Sequence, residues 1–256
     1  MRDATGIGQI HLWRGGSLWI GRSGKPADFH QHHAIQICLP LEPDQSVAFA
    51  GYEGVWRHFR AALIPSHHRH AFDGRGAEVA MIFTEPESVL GRAILARYGT
   101  EAIADLEAGA AGGPAALELR RLWSGRAGGS SLIAAAQAVL TSLAGENAPR
   151  SLGVDPRVVR SIAWLRGRLD GPVTLIEAAA AVRLSPGRYR HLFVAETGLP
   201  FRAFVLWLRM ERALLIVADG GSLTDAAHAG GFADQAHMSR TFRSMFGITP
   251  SSFIRL

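Results

Sequence analysis

Cysteine is almost missing from this chain of 256 residues, and a single thiol, Cys38, cannot close an internal disulfide. A disulfide-stapled extracellular scaffold is therefore excluded, and Cys38, inside the apolar run Ile35 to Leu39, is expected to be a small buried hydrophobe. Lysine is equally scarce. Lys25 is the only one, so 26 of the 27 cations are arginines, the side chain suited to bidentate contacts with phosphates and base edges. No apolar run approaches the roughly 18 residues that a membrane span needs, and Met1 to Gln9 lacks the basic and then apolar pattern of a signal peptide. These absences predict a cytoplasmic protein with no membrane partner. Charged residues make up only 19% of the chain against 48% apolar ones, which excludes disorder and predicts a packed core. Catalytic signatures are missing as well: there is no nucleophile elbow, phosphate-cradling glycine loop, cysteine pair for zinc or His-Glu-x-x-His helix. No enzyme is expected.

The charge that is present is unevenly placed. From Arg150 to Leu256 there are 14 arginines against 8 acidic residues, whereas residues 1–149 carry 13 cations and 14 anions. A basic C-terminal half beside a neutral N-terminal half points to a polyanionic partner, nucleic acid before membrane, because the apolar residues are taken up by core-facing stripes.

Periodicity divides the chain in the same place. Short strand-like runs occupy the first 85 residues: Ile7 to Trp13, Leu18 to Gly21, Ala34 to Leu39, Ser46 to Tyr52, Arg60 to Ile64 and Val79 to Phe83. Strands of this length and spacing predict a sandwich or a small barrel. From Ser88 the spacing becomes helical, with stripes through Val89, Ile94 and Leu95, then Leu117 to Trp123, then Leu132 to Leu143. These stripes must be buried, either on the barrel or against a second copy across a two-fold axis. The segment Gly145 to Gly153 breaks the pattern and is the best linker, placing a boundary near residue 148.

Beyond it the design repeats. Asp155-Pro156 opens a helix striped by Val158, Ile162, Leu165 and Leu169. Thr174 then caps a short Ala-rich helix, Leu175 to Val182. A turn follows, and Pro186 opens a second helix running to Thr197. Ser222 starts the same pattern again, with Leu223 to Ala229, a turn at Gly230-Gly231-Phe232, and a helix Asp234 to Phe246. An apolar-striped helix, Pro200 to Ala218, joins the copies. Small side chains at Ala178, Ala179, Ala226 and Ala227 let two helices cross closely, as helix-turn-helix units require, leaving each second helix free for a major groove.

These residues carry a resemblance. Leu184-Ser185-Pro186, Leu192-Phe193, Glu196-Thr197-Gly198, Arg209 to Ala213, Gly231-Phe232, Asp234-Gln235, Ser239-Arg240 and Phe242 to Pro250 together resemble the AraC/XylS family of bacterial transcription regulators over about 100 residues. The resemblance implies a DNA-binding domain whose two recognition helices enter successive major grooves. Position by position it implies base-facing residues Gly187, Arg190 and His191, with Arg188 beside them, and then Gln235, Ala236, Ser239 and Arg240; Arg183, Arg243 and Arg255 are phosphate contacts. Tyr189 replaces the family's usual leucine, His191 often an arginine, and Gly230 an aliphatic residue.

Seven histidines crowd residues 30–70: His30, His32, His33, His58, His67, His68 and His70. Residues two apart on a strand share a face, so His30 and His32 can converge with His68 and His70 inside a barrel as ligands for a divalent transition metal such as Zn, Ni, Cu or Fe. The segments Phe29 to Gln36 and Ile64 to His70 are similar to cupin-type sensing domains, in which these positions supply histidines and one carboxylate; here Gln36 stands near the carboxylate's place. Gln36, Trp19 and Phe72 are expected in an effector pocket, with Trp13, Trp56 and Phe29 as further aromatic candidates.

The expected architecture is thus α+β in two domains. Residues 1–87 form a cupin-like sensing barrel, 88–146 a helical appendage with a possible dimerisation role, and 147–256 an all-α domain with helix-turn-helix units at 174–197 and 222–246. The expected function is an effector-controlled, sequence-specific DNA-binding regulator acting on double-stranded promoter DNA. It is expected to be a homodimer, with RNA polymerase a further partner if it activates. The alternatives are a regulator that responds to a metal ion and a metal-dependent cupin enzyme fused to a DNA-binding domain.

Overall fold

The computed structural model describes residues 6–42, 44–106, 113–145 and 153–253. The chain separates into two compact units, Met1–Pro149 together with Arg240–Leu256, and Arg150–Ser239. Residues 240–253 are thus grouped with the first unit rather than with the rest of the C-terminal half. Most of the linker expected at Gly145 to Gly153 lies outside the described residues.

Ten strands build two sheets in the first unit: β1 (Gly6–Trp13), β2 (Gly16–Ser23), β3 (Ala27–His30), β4 (Ile35–Pro40), β5 (Val47–Ala50), β6 (Trp56–Phe59), β7 (Ala62–Ile64), β8 (His70–Asp73), β9 (Glu78–Thr84) and β10 (Ala104–Asp105). A six-stranded sheet has the order β1-β2-β9-β4-β7-β10 and a four-stranded one β3-β8-β5-β6. All six residues of β4 are buried, because it lies between β9 and β7 with both faces covered. That fits its largely apolar sequence, broken only by Gln36, where a one-sided strand would alternate. Between the sheets, Cys38, Ala62, Ile64 and Val79 from one pack against Val47, Phe49, Phe59 and Phe72 from the other. Cys38 is the buried free thiol expected, and burial pushes its pKa up.

Three helices follow. The first, α1 (Val89–Tyr98), is capped by Ser88, whose side chain accepts from the Gly91 N–H. A Cβ on Gly91 would stand 2.1 Å from the Glu85 carbonyl oxygen, so only glycine lets this helix approach the preceding loop. The next two are α2 (Pro114–Ser124) and α3 (Gly129–Ala144). The stripe Leu132, Ala136, Val139, Leu140 and Leu143 of α3 is buried within its own unit, packed on β1, β2, α1 and α2. Of the two fates open to it, the sheet-packed one is observed; Val89 and Leu117 stay exposed.

The second unit is helical. Asp155 caps α4 (Pro156–Arg166), with proline at the first helical position. A reciprocal capping box between Thr174 and Glu177 starts α5 (Leu175–Ala181), and Ser185 caps α6 (Pro186–Thr197), which Gly198 ends in the left-handed conformation. The long α7 (Phe201–Ala218) leads to α8 (Leu223–Ala229), which opens on a second capping box, Ser222 with Asp225. Then comes α9 (Gln235–Phe246), whose first residues belong to this unit and the rest to the first, and finally α10 (Pro250–Phe253). The repeat is therefore physical, down to equivalent caps. Ala178, Ala179, Ala226 and Ala227 are all buried at the tight crossings.

The departures from the family pattern have local reasons. Tyr189 is fully buried, packs on Phe193 and Phe201, and shares a hydrogen bond with Ser161, which keeps its hydroxyl satisfied in the core. Gly230 sits where a Cβ would come within 2.8 Å of the Arg209 carbonyl oxygen, so an aliphatic residue would force the helices apart. His191 is exposed, and its replacement of arginine has no structural explanation.

Candidate functional site

Two sets of residues carry chemistry.

In the first unit, β3 ends at His30, the connection to β4 carries His32, and β8 begins at His70, paired directly with His30. All three imidazoles are buried, and one ring nitrogen from each lies within 4.8 Å of the others. The rings share a tether. His30 Nδ1 donates to the Asp28 carbonyl (2.7 Å), His32 Nδ1 to Ala34 (2.8 Å) and His70 Nδ1 to His68 (2.8 Å), each two residues away. With the Nδ1 protons committed to backbone, the Nε2 lone pairs are left to face one another. His70 Nε2 is buried without a hydrogen-bond partner, and His32 Nε2 is hydrogen-bonded to the side-chain amide of Gln36 (2.9 Å). Burial lowers the pKa of His30 to about 3 and of His32 to about 4, and it lowers that of His70 as well, with the neighbouring rings adding to the effect at His30 and His70. The rings are neutral, as ligands must be.

His68 does not join them. The segment before β8 is a turn, with His67 at φ 61°, so the two-residue alternation that would place His68 beside His70 has not begun. His68 instead meets the ring of Tyr52 edge-on. His33 also points elsewhere: its Nε2 lies 2.9 Å from Glu87 Oε2 in a buried pair, and its Nδ1 lies 3.3 Å from His67 Nε2. This pair joins the loop ahead of β4 to the loop ahead of α1, and Glu87 gave no sign of it in the sequence.

Beside the three rings lies a cavity of about 70 Å³. Trp19, Phe72 and Gln36, the residues expected in an effector pocket, all line it, as does His30. Its other walls are apolar, from Ile20, Val79, Met81 and Phe83 and from Phe246 and Ile248 of the C-terminal segment, and the exposed Arg22 and Lys25 stand on its lining as well. Phe29 and Trp56 do not take part: both are exposed, Phe29 under the guanidinium of Arg69. Met81, Arg22 and Lys25 were missed from sequence. The period-2 alternation of β9 carried the signal for Met81, since Val79, Met81 and Phe83 share one face.

In the second set, Gly187, Arg190, His191 and Val194 fall on one exposed face of α6, with Arg188 at its side. The corresponding face of α9 carries Gln235, Ala236, Ser239, Arg240 and Arg243, all exposed except the half-buried Ser239. Buried Tyr189 and Phe193 in one helix answer buried Met238 and Phe242 in the other. Gln235 accepts a hydrogen bond from Thr224 (3.2 Å), and Arg243 donates to Asp28 (2.7 Å) in an exposed ion pair. Arg183 occupies the turn between α5 and α6 with φ 58°, the place held in the second copy by Gly231 at φ 68°. Arg255 lies outside the described residues.

Residues 178–255 match a family described as a helix-turn-helix domain. The chain is 33% identical over 110 residues to the transcriptional activator RhrA of Rhizobium meliloti, covering 42% of this chain and 33% of that protein. It is 38% identical over 86 residues to the transcriptional activator NphR of a Rhodococcus species, covering 33% and 25%. It thus spans a third or less of the length of these curated relatives. Among solved structures, ToxT of Vibrio cholerae shares the fold, with a TM-score of 0.58 at 10% identity, over 94% of this chain and 97% of that one. ToxT has also been solved with an unsaturated fatty acid bound. No helix among the described residues is long and apolar enough to cross a membrane.

Proposed function

We propose that this chain, which carries an AraC-type helix-turn-helix domain over residues 178–255, is a sequence-specific DNA-binding transcription regulator controlled by a small-molecule effector. The observation that carries the reading is the repeat: two capped helix-turn-helix units, each presenting an exposed polar face on its second helix. On that reading residues 147–256 act as the DNA-binding domain, and 1–87 sense the effector in the cavity beside Trp19, Gln36 and Phe72. Arg190 and Arg240 suit guanine edges, Gln235 suits adenine, and Ala236 suits a thymine methyl. Arg183, Arg188 and Arg243 suit phosphates; the Arg243–Asp28 pair is exposed and so costs little to exchange for a phosphate. The exposed Val89 and Leu117 make residues 88–146 the place to look for a homodimer contact. Cytoplasmic location and contact with RNA polymerase belong to the same proposal. Transcription regulation, not enzyme catalysis, is the activity of the named relatives.

The test is affinity for a selected duplex. Arg190→Ala and Arg240→Ala are expected to relax base preference at one position each, by about 1–3 kcal/mol. Equal discrimination in both variants and the parent would overturn the assignment of these faces.

A specific observation favours a metal in the sensing unit. Three buried neutral rings with backbone-tethered Nδ1 atoms converge, His70 Nε2 is left without a hydrogen-bond partner, and His32 Nε2 meets only the side chain of Gln36. Such a set fits a divalent transition metal. His30, His32 and His70 would hold it, and it would supply a localised positive charge there. Equilibrium dialysis of the full chain against zinc tests this reading: one ion per chain, lost in His70→Ala, is the expected result, and no bound zinc refutes it.

A further inference from the structure

We propose that the effector is an organic anion, a carboxylate with an apolar body, whose oxygen completes the coordination of a divalent metal held by His30, His32 and His70. This rests on the metal reading above and adds the chemical class of the missing ligand.

Charge decides the point. Three neutral imidazoles and the amide of Gln36 bring no negative charge to a dication. The three rings are buried, and nearby carboxylic acids are otherwise engaged: Asp28 is exposed and paired with Arg243, Asp73 accepts from the Arg75 backbone N–H, and Glu87 is paired with His33. A dication in such surroundings keeps a large uncompensated desolvation cost unless an anion joins it. Three histidines also leave the fourth position of a tetrahedral site open to a ligand from outside the protein.

The cavity shows what shape that anion has. His30 belongs both to the ligand cluster and to the cavity wall, and Gln36, hydrogen-bonded to His32, lines the same wall, so a molecule seated there lies against the cluster. Trp19, Phe72 and Phe83 provide the apolar wall for its body. Arg22 and Lys25, the chain's only lysine, place positive charge at the exposed part of the same lining, which favours entry of anions. A neutral molecule of the same shape would gain the apolar contacts and neither charge interaction.

Linkage makes the test quantitative. If the carboxylate binds the metal, each raises the affinity of the protein for the other by the same factor. The experiment titrates the full chain with cobalt(II), whose visible absorption reports coordination, in the presence of hexanoate or of hexan-1-ol. The expected result is that hexanoate alters the cobalt bands and tightens cobalt binding at least tenfold, while hexan-1-ol does neither. A second variant sharpens the outcome: Gln36→Glu supplies the site with its own anion and is expected to bind cobalt more tightly alone and to lose the hexanoate effect. Cobalt bound with spectrum and affinity indifferent to hexanoate would overturn this proposal and leave the metal reading standing. Failure of cobalt to bind the parent chain at all would refute both.

Discussion

At the scale of single residues, the histidines and one tyrosine carry the sharpest expectations. His30 and His32 stay neutral in the folded unit down to about pH 3 and pH 4 because they are buried, whereas in the unfolded chain they protonate near 6.5. The unfolded state therefore binds more protons between these limits, and stability falls as pH is lowered through that window. Thermal melts of the metal-free chain are expected to show the first unit losing stability from pH 7 to pH 5.5, above the range in which ordinary carboxylates titrate; a constant melting temperature would show that the rings are not buried as described. Tyr189 makes the opposite kind of contribution. Its hydroxyl and that of Ser161 satisfy each other in the core, so Tyr189→Phe leaves a buried Ser161 oxygen unpaired and is expected to cost about 1–3 kcal/mol in urea unfolding of the second unit. A cost near zero would mean that another group satisfies Ser161.

At the scale of elements, the two helix-turn-helix copies differ most in their turns. Arg183 sits at φ 58° where the second copy has Gly231, and an ordinary side chain in that conformation costs on the order of 1 kcal/mol. Arg183→Gly is expected to leave stability unchanged or raised by up to about 1 kcal/mol, the relief of strain being offset by the greater freedom of glycine in the unfolded chain. The same variant is expected to bind all duplexes more weakly and to flatten the salt dependence by about one phosphate. Unaltered salt dependence would remove Arg183 from the contacts. The helical elements were legible in the sequence because caps, prolines and 3.6-residue stripes agree, as at Thr174, Ser185 and Ser222. The strands were less so. Ala27–His30, Trp56–Phe59 and His70–Asp73 were not expected as strands, since their polar and histidine-rich residues hide the alternation. That is also why His68 was placed with His70: the face a residue occupies depends on where the strand begins, and the turn at His67 sets that start. Convergence of His30, His32 and His70 comes from the pairing of β3 with β8, a long-range contact that local pattern does not encode.

At the scale of the whole molecule, the uneven charge and the repeat lead to one claim. On the proposed function, the arginine-rich C-terminal half and the two exposed helix faces would read duplex DNA at two places. Recognition helices in successive major grooves imply two short sequence elements about one helical turn, or roughly 10 base pairs, apart. In the proposed account an effector supplies the control, and its occupancy would alter DNA affinity only to the extent that the ligand prefers one conformational state of the chain over another. The measurement that tests the central claim most directly is selection of binding sites by the full chain from a pool of random duplexes at physiological salt. The account predicts enrichment of two short motifs at a fixed spacing of about one turn, with Arg190→Ala degrading one motif and Arg240→Ala the other. A pool that stays random while still binding the protein would contradict it.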